Sequence, residues 1–97
     1  MMKNQYIYEI VDATDEEGYI TQGIFSSLEF AYIALDKINS PNDLLDTELE
    51  EFARIEIRER KLNTFADAGV VVYTRIWNEV YDEETDEYKW RVVSNEN

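Results

Sequence analysis

Apolar and polar positions alternate along several stretches of the chain, which is the pattern of a strand with one buried face. The clearest case is residues 53–60, where Ile55 and Ile57 fall on one side. The other side carries only charged residues, namely Arg54, Glu56, Arg58 and Arg60. The pattern predicts a strand whose isoleucines face the core and whose charges face solvent.

Two hairpins are predicted from β-branched and aromatic runs that short acidic segments connect. The paired runs are residues 5–11 with 19–25, and residues 70–81 with 88–93. Gly23 stands inside the second run, where a glycine is typical of a bulge or of a close backbone approach.

One helix is predicted between the first hairpin and the central strand. Its apolar face recurs at spacings of three and four residues and consists of Leu28, Ala31, Leu35 and Ile38, widened by Tyr32. Ser26 and Glu29 match a capping box at the start of the helix. Pro41 follows the helix and opens a short helical turn.

The element order ββαβββ favours short antiparallel connections. It predicts an α+β two-layer sandwich in which one main helix covers one face of a mostly antiparallel five-stranded sheet. We expect the 97 residues to form a single domain.

Three acidic segments converge on one end of the sheet if the strands run as predicted. They contain Asp12, Asp15, Glu16 and Glu17; Asp43, Asp46, Glu48, Glu50 and Glu51; and Asp82, Glu83, Glu84, Asp86 and Glu87. Crowded carboxylates repel one another, so their convergence favours a docking surface for a basic partner. The alternative explanation is that polar residues collect in loops for solubility.

A second candidate surface lies on the fourth predicted strand. Alternation places Val70, Val72, Thr74 and Ile76 toward the core, and Tyr73, Arg75, Trp77, Glu79 and Tyr81 on the opposite, outer face. We interpret Trp77, Tyr81 and Trp90 as apolar anchors for a partner. Cross-strand pairing that only stabilises the sheet, self-association, and stacking on single-stranded nucleic acid remain alternatives.

Composition removes several classes of chemistry. There are 22 acidic and 9 basic residues, a net charge of −13, and neither His nor Cys. Thiol nucleophiles, thiolate metal sites and the commonest general base are therefore absent, and acids in solvated turns lack the desolvation that acid–base catalysis needs. The sequence predicts a protein without enzymatic activity, cofactor or metal.

The charge also bears on partners and location. A net charge of −13 repels nucleic acid and anionic membranes. Asp82, Glu84 and Asp86 have calcium-loop spacing, but Glu87 and Val93 occupy the positions of its glycine and its bidentate glutamate. No stretch has the length and apolarity of a membrane span or a signal peptide, which predicts a cytoplasmic protein.

Several short motifs carry a resemblance to known domains. They are the strand at residues 6–10, the run Gly23-Ile24-Phe25-Ser26-Ser27, Ala31 and Ala34, Ile55-Glu56-Ile57, and Lys61-Leu62-Asn63. With them, residues 6–65 resemble small β-β-α-β domains of unknown function from bacterial and phage genomes. The resemblance implies a fold core and a phage context but no activity, and the hairpin over residues 70–93 departs from it.

The sequence therefore predicts an acidic binding protein that docks on a basic surface of a protein partner. One form of this function is a phage-encoded inhibitor that imitates nucleic acid to a nuclease or a defence complex. The alternative is a self-associating structural module, a homodimer formed through the aromatic face of the sheet.

Overall fold

A computed structural model describes residues 5–15, 18–44, 52–62 and 69–96 of the chain. Within these residues the elements are β1 (Tyr6–Asp12), β2 (Ile20–Phe25), α1 (Leu28–Asp36), a 3-10 helix (Pro41–Asp43), β3 (Phe52–Lys61), β4 (Val70–Asp82) and β5 (Glu87–Glu96). The strands form one antiparallel sheet in the order β2-β1-β3-β4-β5. The predicted α+β fold, a five-stranded antiparallel sheet with one main helix, is confirmed.

The core lies between the sheet and α1, which contacts β1 and β2. Ala31 and Leu35 of the helix are fully buried against Ile10, Ile55 and Ile57 of the two central strands. Leu28, Tyr32 and Ile38 pack around this centre, so the predicted helix face is confirmed.

The residues that cap the starts of the two helices differ from the predicted ones. Ser27, and not Ser26, is the N-cap of α1, and its Oγ accepts a hydrogen bond from the Phe30 amide at 3.1 Å. The capping box lies instead at the 3-10 helix, between Ser40 and Asp43. Both serine caps satisfy amides that have no partner within the helix.

The predicted faces of β4 are wrong. Tyr73 and Trp77 are each only 6% exposed and belong to the core on the helix side of the sheet. Tyr73 meets the ring of Tyr32 edge-on at 5.2 Å, and the Arg75 Nη2 lies 3.0 Å from the Asp36 carboxylate at the end of α1. The cause is the short helix, which lies over β1 and β2 and leaves the large side chains of β4 to cover the rest of the core.

The face away from the helix carries an ion cluster, and the Tyr19 ring lies 4.3 Å from the guanidinium carbon of its Arg58. Glu9 and Glu56 are 2% and 3% exposed. Glu56 accepts hydrogen bonds from Arg54 and Arg58 at 2.9–3.1 Å, and Glu9 accepts from Arg60 and from the Thr21 hydroxyl. These arginines compensate the burial of two carboxylates, which would otherwise be costly.

The pKa of Glu9 reflects this balance. Burial raises it, but the hydrogen bonds from Arg60 and Thr21 and the nearby positive charges outweigh burial. The net result is a pKa below the ordinary glutamate value, so the carboxylate is held in its charged form.

Candidate functional site

The hairpin of β4 and β5 extends beyond the rest of the sheet. The last β4 residue that pairs with β3 is Asn78, whereas β4 continues to Asp82. Four further residues at about 3.3 Å each carry the hairpin about 13 Å past β3. We call residues 79–91 the arm; among the described residues of β3, none pairs with it.

The arm ends in an ordered turn. Asp82 accepts a hydrogen bond from the Glu84 amide at 3.0 Å, and its other oxygen lies 3.1 Å from the Lys89 ammonium. The hydrogen bond from Lys89, followed by that from Glu84, holds the pKa of Asp82 below its usual range. Asp86 closes the turn with a φ of 57°, a conformation that aspartate adopts more readily than most residues.

One face of the arm is aromatic. Tyr81 and Tyr88 pair across the two strands with ring centroids 5.3 Å apart, and they are 46% and 68% exposed. The Tyr81 hydroxyl donates a hydrogen bond to the Asp86 carboxylate, which raises the pKa of the phenol. This bond joins the aromatic pair to the turn, so the tip presents a fixed arrangement of rings and carboxylates.

The charge of the arm is strongly negative. It contains six acidic residues and two basic ones, Lys89 and Arg91. Glu83, Glu84 and Glu87 are exposed, and among the described residues none of the three forms an ion pair. Asp82 and Asp86 shape the turn, whereas these three glutamates remain available to a partner.

The other predicted acidic segments are placed differently. Asp12 is 6% exposed and accepts hydrogen bonds from the amide and the hydroxyl of Thr14. Asp43 caps the 3-10 helix by accepting from the amides of Asn39 and Ser40. Asp15 is exposed. Outside the described residues lie Glu16, Glu17, Asp46, Glu48, Glu50 and Glu51.

Asp12 and the tip of the arm are separated along the sheet. The strand directions are as predicted, so the end of β1 and the tip of the arm point the same way. However, Asp12 is level with Ile55 and Arg75, and Asp82 lies seven residues farther along β4. That is about 23 Å at about 3.3 Å per residue, so Asp12 and the arm do not form one patch.

The three predicted aromatic anchors differ in how exposed their side chains are. Tyr81 is exposed on the arm, Trp90 is partly buried against the core, and Trp77 is buried, so its prediction as an exposed anchor is wrong. Tyr88, the more exposed partner of Tyr81, was not among the predicted anchors. Tyr81 comes directly before the acidic turn and Tyr88 directly after it, so the two tyrosines pair across the hairpin. This spacing is the sequence signal that identifies Tyr88.

Among the described residues, metal binding has no candidate cluster and membrane crossing has no candidate helix. No group of three or more acidic side chains among them is arranged to hold a metal ion. Neither helix in the described ranges has the length and apolarity needed to cross a membrane.

Comparison with protein-family models, with curated proteins and with solved structures gave no match. The resemblance of residues 6–65 to small bacterial and phage domains therefore stays a prediction.

Proposed function

We propose that the protein is a non-enzymatic binding protein whose arm docks on a basic surface of a protein partner. The observation that carries the proposal is the extension of an acidic, aromatic hairpin past the strand that supports it. Exposed glutamates give attraction and orientation at a distance, and desolvated aromatic rings give most of the affinity.

The arm suits this function for a physical reason. Its turn is fixed by contacts of Asp82 and Asp86, so little conformational entropy is lost when a partner is bound. A narrow two-stranded hairpin also reaches into a groove that a flat sheet cannot enter. Grooves lined with lysine and arginine are typical of proteins that grip nucleic acid.

A finer form of the proposal follows from that last point. The partner would be a nuclease or a defence complex, and the arm would occupy the groove in place of a phosphate backbone. The resemblance of residues 6–65 to phage domains and the net charge of −13 both support this form.

The self-associating alternative stays a prediction. Of the aromatic residues that suggested it, Tyr73 and Trp77 are buried on the helix side, whereas Tyr81 is exposed on the arm. The outer face carries the paired charges of Glu9 and Glu56 instead.

Capture from a bacterial lysate tests the proposal. The immobilised chain is compared with an arm variant, Glu83→Lys with Glu84→Lys, and with a control variant, Glu29→Lys with Glu96→Lys. Both variants change the net charge equally, but the control residues lie on α1 and at the far end of β5.

A partner that the unaltered chain and the control variant retain at physiological ionic strength, but the arm variant loses, would support the proposal. Basic proteins that appear only at low salt, or that both variants lose equally, would show that the charge acts nonspecifically.

A further inference from the structure

The two edge strands of the sheet are protected to very different degrees. β5 carries acidic and basic side chains along its length and a bulge where the register shifts between Ile76 and Trp77 of β4. Charges and bulges are the devices that keep edge strands from pairing with other chains. β2, with the sequence Ile-Thr-Gln-Gly-Ile-Phe, has no charged residue and no proline.

β2 is also unpaired on one side. It pairs with β1 along one edge, and no strand among the described residues covers the other. Ile24 is 62% exposed and Ile20 is 46% exposed. In a chain with 32% charged residues, an uncharged and apolar edge strand is conspicuous, because its free amides and carbonyls can receive a further strand.

A half-open cavity of about 280 Å³ adjoins β2 on its helix side. It lies between β2, α1 and the 3-10 helix, and its apolar lining includes Phe25, Ala34, Ile38 and Leu44. A groove between an edge strand and a helix is the arrangement in which an added strand gains specificity, since alternate side chains of that strand enter the groove.

Gln22 gives the cavity a polar group without a partner. It is the extra residue of the bulge between Gly23 and Thr21, and its side chain lines the cavity. The Gln22 Oε1 is buried and accepts no hydrogen bond among the described residues. A buried acceptor without a donor is costly, and a donor from an incoming chain would satisfy it.

The charges around the cavity select the occupant. Asp43 is the one charged residue among the described residues that line it. Its carboxylate disfavours an acidic strand, and the net charge of −13 on each molecule disfavours a second copy of this chain. Lysine or arginine in the occupant would be attracted.

We propose that β2 and this cavity bind an extended peptide segment of a partner protein. The segment adds to the sheet beside β2, places one apolar side chain in the cavity, and carries lysine or arginine next to that side chain. The site is separate from the arm, which lies at the opposite edge of the sheet, so the two proposals succeed or fail independently.

A library of random dodecapeptides displayed on phage tests this proposal. The full chain is the target, and Ile24→Lys, which places a charge on the edge, is the counter-selection. Ile33→Lys is the matched control, because Ile33 is similarly exposed, 47% by area, but lies on α1 and not on the edge strand β2. A selected peptide is then synthesised and titrated into isotope-labelled protein.

The expected result is enrichment of peptides with an apolar residue flanked by lysine or arginine. Their amide-shift changes and hydrogen-exchange protection should map to residues 20–25. Affinity should fall at least about tenfold in Ile24→Lys, which corresponds to about 1.4 kcal/mol, and stay unchanged in Ile33→Lys.

Three results would overturn the proposal. They are the absence of any enriched peptide whose binding depends on Ile24, shift changes that map elsewhere, and a dimer of the unaltered chain that Ile24→Lys dissociates. The last result would assign the edge to a second copy. If Ile24→Lys does not fold, Ala34→Leu, which fills the cavity, is expected to give the same loss of affinity.

Discussion

Replacement of Trp77 by alanine is expected to cost about 4 kcal/mol of folding free energy, which tests the revised faces of β4. Trp77 is 6% exposed. An aromatic side chain buries about 150–250 Å². At about 25 cal/mol per Å², burial is worth about 4–6 kcal/mol as an upper estimate. Measured losses for tryptophan-to-alanine changes in cores are about 3–5 kcal/mol.

Two comparisons make this prediction specific. Tyr81→Ala, at an exposed position on the arm, should cost only about 1 kcal/mol, most of it from the lost ring contact with Tyr88. Trp77→Phe should cost much less than Trp77→Ala, because it keeps a ring in the core. It also removes the indole N–H of Trp77, which is buried without a partner among the described residues.

Urea denaturation followed by circular dichroism provides the measurement. A domain of this size has a total stability of about 5–15 kcal/mol, so a loss of about 4 kcal/mol shifts the midpoint strongly. Equal losses for Trp77→Ala and Tyr81→Ala, or a larger loss for Tyr81→Ala, would refute the placement of Trp77 in the core.

Further predictions concern the ion cluster, the helix cap and one glycine. Arg60→Met should cost about 3 kcal/mol, because it leaves the buried Glu9 without its cation. Because folding lowers the pKa of Glu9, its contribution is present above the ordinary value of 4.5 and is lost as the pH falls through the folded-state pKa. Acid titration of stability should therefore be shallower in Glu9→Gln, and an unchanged profile would contradict the assigned role. In thermal unfolding, Ser27→Ala should cost about 1 kcal/mol and Ser26→Ala less than about 0.5 kcal/mol, whereas the reverse order would restore the capping predicted from sequence. Gly69→Ala should lower the free energy of unfolding by about 1 kcal/mol or more, since φ of Gly69 is 71° and a Cβ would lie 2.6 Å from the Arg60 Cγ. An alanine variant as stable as the unaltered chain would contradict this backbone conformation of Gly69.

Local periodicity was sufficient to predict most of the fold. The alternation around Ile55 and Ile57 identified β3, and the spacing of Ala31 and Leu35 identified the buried face of α1. Each of these patterns has one apolar side, so only one orientation buries it. Antiparallel topology then follows from the short connections between elements.

The faces of β4 could not be predicted in the same way. Its two sides are both apolar, with Val72 and Ile76 on one and Tyr73 and Trp77 on the other. Alternation shows that the two sets face opposite ways but does not assign either of them to the core. That choice depends on how much of the sheet the nine-residue α1 covers, which is a tertiary property.

The candidate site was predicted only in part. Acidic residues were assigned to three turns, but the sequence does not reveal that β4 continues past the last residue paired with β3. It also does not distinguish carboxylates that cap backbone amides, such as Asp12 and Asp43, from those that remain exposed, such as Glu83. Both distinctions need the register and the hydrogen bonds.

The association rate of the captured partner with the two charge variants tests the central claim most directly. If the arm is the docking surface, Glu83→Lys with Glu84→Lys should slow association by about tenfold or more at physiological ionic strength, because nearby charges steer encounter. Glu29→Lys with Glu96→Lys should leave the rate within about twofold, since its charges are remote from the contact. Equal rates for the two variants would contradict docking through the arm.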